Sequence, residues 1–240
     1  MKGSLIVAKR ELRSAFNSPI AYVLIIAFLF FSSVWLFIVQ GFFAVGQANL
    51  QPYFAVMPII LAFLVPAATM RSWAEERRLG TYELLLTLPF GEAELVAGKF
   101  LASLALMGLA LLLSLAVPIS LSFLGSFDSG ALFGQYLGIC LAAAAATAIG
   151  EWVSSLAKNQ VSAFVGSSLL ILFFVLVDRL GAFLRSAGLL ADLLSWLSLS
   201  GHYASLARGV LESRDLAFYL ILTAFFLYLT AWNVRRRKWS

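Results

Sequence analysis

The sequence predicts an all-α membrane protein with six transmembrane helices, and three observations predict it. Its 240 residues are 62% hydrophobic and 12% charged, with a mean hydropathy of +0.94. A soluble domain carries about 25% charged residues because its surface faces water. Six apolar runs are long enough to cross hydrocarbon, which takes about 20 helical residues. Lysines and arginines gather at the ends of those runs and form no basic stripe with interleaved aromatics. The net charge of +5 therefore points to a membrane surface and not to nucleic acid.

Residues 1–18 come first. Leu5, Ala8, Leu12, Ala15 and Phe16 share a helical face, with Lys2, Lys9 and Arg13 beside it, the pattern of a helix lying in the membrane interface. Pro19 then breaks the chain, allowing it to turn into the bilayer. The following run is too long for the core of a signal peptide and no A-x-A site follows, so an uncleaved segment is expected.

The spans are expected at Ile20–Val39, Tyr53–Met70, Phe100–Leu124, Phe133–Val153, Val161–Val177 and Leu216–Val234. In the third, each of the eight leucines between positions 101 and 115 favours insertion by about 0.5 kcal/mol. Residues 71–99 carry nine charges (Arg71, Glu75, Glu76, Arg77, Arg78, Glu83, Glu92, Glu94 and Lys99). Immersing them would cost on the order of 25 kcal/mol, so this segment stays in water. One set of alternating ends holds 13 of the 17 lysines and arginines, which places both termini and residues 71–99 in the cytoplasm.

Pro58 and Pro66 in the second span and Pro118 in the third permit bends. In the fourth, Gly138, Ala142, Ala146 and Gly150 form a small-residue stripe, suited either to packing within the chain or to a subunit interface. Residues 179–215 keep helical leucine spacing between Ser186, Gly188 and Gly201. Short re-entrant or surface helices on the outer side fit that pattern. No internal repeat or linker divides the chain, so 1–240 is read as one domain.

The chemistry-bearing motifs are few. Gly98-Lys99 is not a phosphate loop, because position 93 is Ala, position 100 is Phe and no strand precedes. Lys99 is expected to snorkel to the headgroups. His202 has no metal-binding neighbour in sequence and reads as an interfacial residue, while Glu151, Asp178 and Arg179 sit at span margins and read as anchors. No catalytic residue, bound cofactor or metal site is expected.

Residues 73–89 then read as a docking element. Trp73–Leu79 is a charged turn, Gly80 suits a helix C-terminus, Thr81 can cap a second helix with Glu83 in its first turn, and Pro89 ends it. Leucines 84, 85, 86 and 88 supply an apolar face among charges. The element either lies flat on the bilayer or docks a cytoplasmic protein.

The run AEERRLGTYELLLTLP, with Gly98-Lys99 at the head of the next span, resembles the loop between spans two and three of type-2 ATP-binding-cassette (ABC) transporter permeases. KRELRSAFNSPIAY (Lys9–Tyr22) and GHYASLARGVLESRD (Gly201–Asp215) resemble the gliding-motility-associated branch of that family. The resemblance implies a permease subunit, usually of an exporter, in the bacterial inner membrane. It would pair with a second copy or a related permease and rest on a cytoplasmic ABC ATPase that binds ATP and Mg, with room for an extracytoplasmic auxiliary subunit. It further implies that residues 71–99 hold the coupling helix, with Glu75, Glu76, Arg77, Gly80, Thr81, Glu83, Leu84 and Pro89 at the ATPase. The competing reading is a membrane scaffold that recruits an ATPase without transporting anything.

Overall fold

The computed structural model describes residues 2–46, 49–82, 91–125, 127–183, 194 and 196–238. Among them the regular structure is helical: α1 (Lys2–Phe16), α2 (Pro19–Val34) running on through a π-helical turn (Trp35–Val39), α3 (Phe42–Val45), α4 (Gln51–Ala55), α5 (Met57–Thr69), α6 (Ala74–Arg78), α7 (Glu92–Ser114), α8 (Ala116–Ser122), α9 (Ser129–Leu156), α10 (Gln160–Phe183), α11 (Leu199–Leu206) and α12 (Ser213–Lys238). Six stretches of the described residues are long and apolar enough to cross a membrane: Pro19–Ala44, Met57–Arg78, Glu92–Ser122, Ser129–Leu156, Gln160–Arg179 and Ser213–Arg236. These are the six expected spans with shifted ends.

The shifts have local causes. The second span starts at Met57 because the chain breaks at Val56 and restarts with Pro58 in its first turn, where a missing N–H costs nothing. Pro58 thus opens a helix and makes no bend within one, while Pro66 does lie inside α5. The third span begins earlier than expected, at Glu92, because two acids suit the first turn of a helix. It breaks at Leu115, with Pro118 in the first turn of α8. In the first span Gln40 N–H reaches back to the Trp35 carbonyl at 2.9 Å, and Trp35 Nε1 donates to the Pro52 carbonyl at 3.1 Å, tying this π turn to α4.

Helix α9 is the axis of the bundle, packing on α5, α7, α10, α11 and α12. Over an apolar stretch of 18 residues in each span, 61% are buried in the second and fourth, against 28% in the first. Tyr22, Ile26, Phe30 and Phe31 of the first span point outward, where lipid is as good a solvent as another helix. The small-residue stripe of α9 is buried within the chain. A Cβ on Gly138 would lie 2.9 Å from Tyr203 of α11, and one on Gly150 2.3 Å from Thr69 Oγ1 of α5. Of the two readings of the stripe, packing inside one subunit is the one the structure shows. Part of the expected outer segment, residues 184–193 and 195, lies outside the described residues.

Candidate functional site

Helix α1 does not rest on the bundle by its leucine face alone. Leu12, Ala15 and Phe16 pack against the core, but Leu5 is 64% exposed and Val7 is buried. Opposite Val7 stands Gly98 of α7, where a Cβ would fall 2.6 Å from Val7 Cβ and 2.8 Å from the Ser4 carbonyl. Glycine therefore lets the two helices touch, and this contact brings Glu11 of α1 to Lys99 of α7. Val7, Trp73, Leu95, Val96 and Val234 form a small apolar cluster beside the contact.

Lys99 is the hub. Its side chain is only 2% exposed, and Nζ donates to Glu76 Oε1 at 2.8 Å, to the Ser72 carbonyl at 2.7 Å and to Glu11 Oε1 at 3.3 Å. Three donors meet three acceptors, and Nζ also lies 5.0 Å from the centre of the Trp73 ring. The expected snorkelling does not occur, because two carboxylates within reach hold the ammonium more firmly than a headgroup region shared with water. Burial alone would push the Glu11 carboxyl up, but Lys99 and Arg10 together outweigh it and hold Glu11 below its ordinary 4.5.

A second knot sits one turn deeper. Glu151 of α9 is fully buried and is not a margin anchor; it accepts from Ser72 Oγ at 2.6 Å, Trp73 Nε1 at 2.8 Å and Ser103 Oγ at 3.0 Å. Ser154 Oγ accepts from the Trp73 and Ala74 N–H groups at 3.2 and 3.4 Å, covering donors that the start of α6 leaves open. The segment leaving α5 is thus bonded at residues 72–74 to α7 and α9.

Helix α6 follows. Glu75 and Glu76 fall in its first turn and Arg77 and Arg78 in its last, as the helix dipole favours. Gly80 closes it at φ +70°, with Thr81 N–H on the Glu76 carbonyl at 3.0 Å and Gly80 N–H on that of Arg77 at 3.3 Å, a Schellman end. Glu75 Oε2 is 2.9 Å from Arg71 Nε. Arg77 turns back to the C-terminus of α9, donating through Nη1 to the Leu156 and Ala157 carbonyls at 3.0 and 2.7 Å and through Nη2 to that of Ser155.

Of the eight residues expected at a partner, then, Glu76 and Arg77 point into the bundle, Glu75 is partly covered, and Gly80 and Thr81 form an exposed tip with Leu79, 61% exposed. Glu83, Leu84 and Pro89 lie outside the described residues. The Glu11–Lys99–Glu76 group escaped the sequence reading, although Glu11 is the one acid on an otherwise basic first helix.

At the other end His202 is buried, not interfacial. Nδ1 is 2.6 Å from Asp215 Oδ1, Nε2 is 2.8 Å from the Trp196 carbonyl, and the ring stacks on Phe218. Ser205 Oγ bonds to the Asp215 carboxylate and not to the imidazole, so Ser205 is not paired with a base for attack. The cluster fastens α11 to α12.

Compared with known families, the chain matches one described as ABC-2 family transporter protein over residues 5–237. A comparison with curated proteins gives no match.

Proposed function

The chain belongs to the ABC-2 family of transporter proteins, a transmembrane component of an ABC transporter, and from that premise we propose that it is the permease half of an ATP-driven exporter. The observation that carries the reading is the construction of residues 71–82. An exposed tip at Leu79–Thr81 stands on α6; Glu76, Arg77, Ser72 and Trp73 join it to α7 and α9, and Lys99 passes the link on to Glu11 of α1, by polar bonds that are buried or partly buried. A push on the tip is therefore delivered to three membrane-associated helices at once.

In this proposal the charged end faces the cytoplasm of a bacterial inner membrane. A separate ABC ATPase holds ATP and Mg, docks on Leu79–Thr81 and on residues 83–89, and closes with a second ATPase beneath a second copy of this chain or a related permease. Closure moves the tip. Lys99 and Arg77 carry that movement to α7 and α9, and the path opens on the opposite side. The residue matches at Lys9–Tyr22 and Gly201–Asp215 favour the gliding-motility-associated branch, with residues 179–215 as outer re-entrant helices.

The test is co-purification of the chain from its native membrane with an ATPase bearing a phosphate loop. Leu79→Arg combined with Thr81→Arg alters two exposed side chains and should leave expression intact. Loss of at least nine-tenths of the ATPase supports docking there. An unchanged ATPase yield places the partner elsewhere.

A further inference from the structure

A cavity of about 410 Å³ opens between α1, the start of α2, the end of α5, α6 and the middle of α7. Its polar wall carries Arg10, Arg71 and Lys99 against Glu11, Glu75 and Glu76, three charges of each sign. Its apolar wall is made by Ile20, Ala68, Ala102 and Leu106, residues of the spans themselves. The cavity therefore straddles the level at which the spans leave hydrocarbon, polar toward the charged end and greasy below.

Three of its side chains are not consumed by the bonds around them. Glu76 spends Oε1 on Lys99, while Oε2 is buried with no hydrogen-bond partner. A buried carboxylate oxygen in that state costs free energy until a donor arrives. The Arg10 and Arg71 side chains are 52% and 40% exposed, leaving guanidinium donors free for a second acceptor. A ligand that satisfies all three brings an N–H donor to Glu76 and an anion to the arginines, so a zwitterion matches a wall whose own charges balance.

We propose that this cavity binds the headgroup of an ethanolamine phospholipid. A rotation of the Glu76 carboxyl turns Oε2, closed off in this conformation, toward the ammonium; the phosphate lies between Arg10 and Arg71, and the glycerol end descends along Ala68 and Leu106. Choline shares the charge pattern but has no N–H to donate, and glycerol headgroups have no cation, so the site discriminates by chemistry and not by size. The inference is independent of ATPase docking, since it concerns the bilayer side of the same end.

The experiment is native mass spectrometry of the purified chain in detergent. It is titrated with dioleoyl phosphatidylethanolamine, its mono- and dimethylated forms, phosphatidylcholine and phosphatidylglycerol. Ethanolamine lipid should bind about tenfold more tightly than choline lipid, equivalent to about 1.4 kcal/mol, with affinity falling at each methylation. Glu76→Gln should erase that ratio; Arg71→Gln should weaken both lipids while keeping it. Should a variant fail to fold, the methylation series on the unaltered chain decides alone. Equal binding of all five lipids, no binding, or a preference that survives Glu76→Gln overturns the proposal. Displacement of the lipid by water-soluble phosphoethanolamine at equal concentration overturns the lipid assignment in favour of a soluble ligand.

Discussion

Replacing Lys99 by Met keeps an unbranched apolar stem in the same space and deletes the charge. Removing one partner of a buried ion pair costs about 3–5 kcal/mol, because the other charge is left uncompensated. Here Glu76 and Glu11 retain 18% and 25% side-chain exposure, and Arg10 stays 2.7 Å from Glu11, so part of the deficit is screened. Loss of the contact over the Trp73 ring adds about 1 kcal/mol, and the Ser72 carbonyl loses its donor. A net loss of about 3 kcal/mol follows, which for a chain of this size lowers Tm by about 6–12 °C.

A lysine snorkelling to headgroups would behave as a surface residue and cost no more than about 0.5 kcal/mol. Intrinsic tryptophan fluorescence during a thermal scan in detergent reads the difference, since Trp73 touches the altered site. Lys99→Met with Glu76→Gln removes both charges and should recover about half of the loss. A Tm within 2 °C of the unaltered chain for Lys99→Met would refute the hub.

Gly98→Ala should cost about 1–3 kcal/mol in the same scan, because its Cβ meets Val7 and Ser4 of α1 at 2.6–2.8 Å. Gly108→Ala, with open space at its Cβ, should be neutral or stabilising by up to about 1 kcal/mol through helix propensity. Arg77→Gln should speed amide exchange in the last turn of α9 about tenfold by hydrogen-exchange mass spectrometry. Arg77→Lys should not rescue it, since one ammonium cannot span the carbonyls of Ser155, Leu156 and Ala157 as a planar fork does.

The spans were legible because membrane insertion depends on summed hydropathy, and a run such as Phe100–Leu124 carries that sum locally. Gly80 was legible for a similar reason: a left-handed helix end wants glycine wherever it occurs. What stayed hidden depends on pairs far apart in the chain. Glu11 and Lys99 stand 88 residues apart, and Trp73 and Glu151 stand 78 apart. Nothing near either member tells a snorkelling lysine from a buried one, or a marginal carboxylate from one with three donors. The seat of α1 on the bundle stayed hidden for the same cause, since Val7 is chosen by the missing side chain of Gly98 and not by the periodicity of its own helix.

The central claim is that the charged end lies where nucleotide is. It is tested most directly by thiol labelling with a membrane-impermeant maleimide in intact cells, in a Cys140→Ser background that removes the one native cysteine. Thr81→Cys at the exposed tip should stay unlabelled until the membrane is permeabilised, while Leu124→Cys, 71% exposed at the other end, should label at once. Labelling of Thr81→Cys in sealed cells, with Leu124→Cys protected, would contradict it.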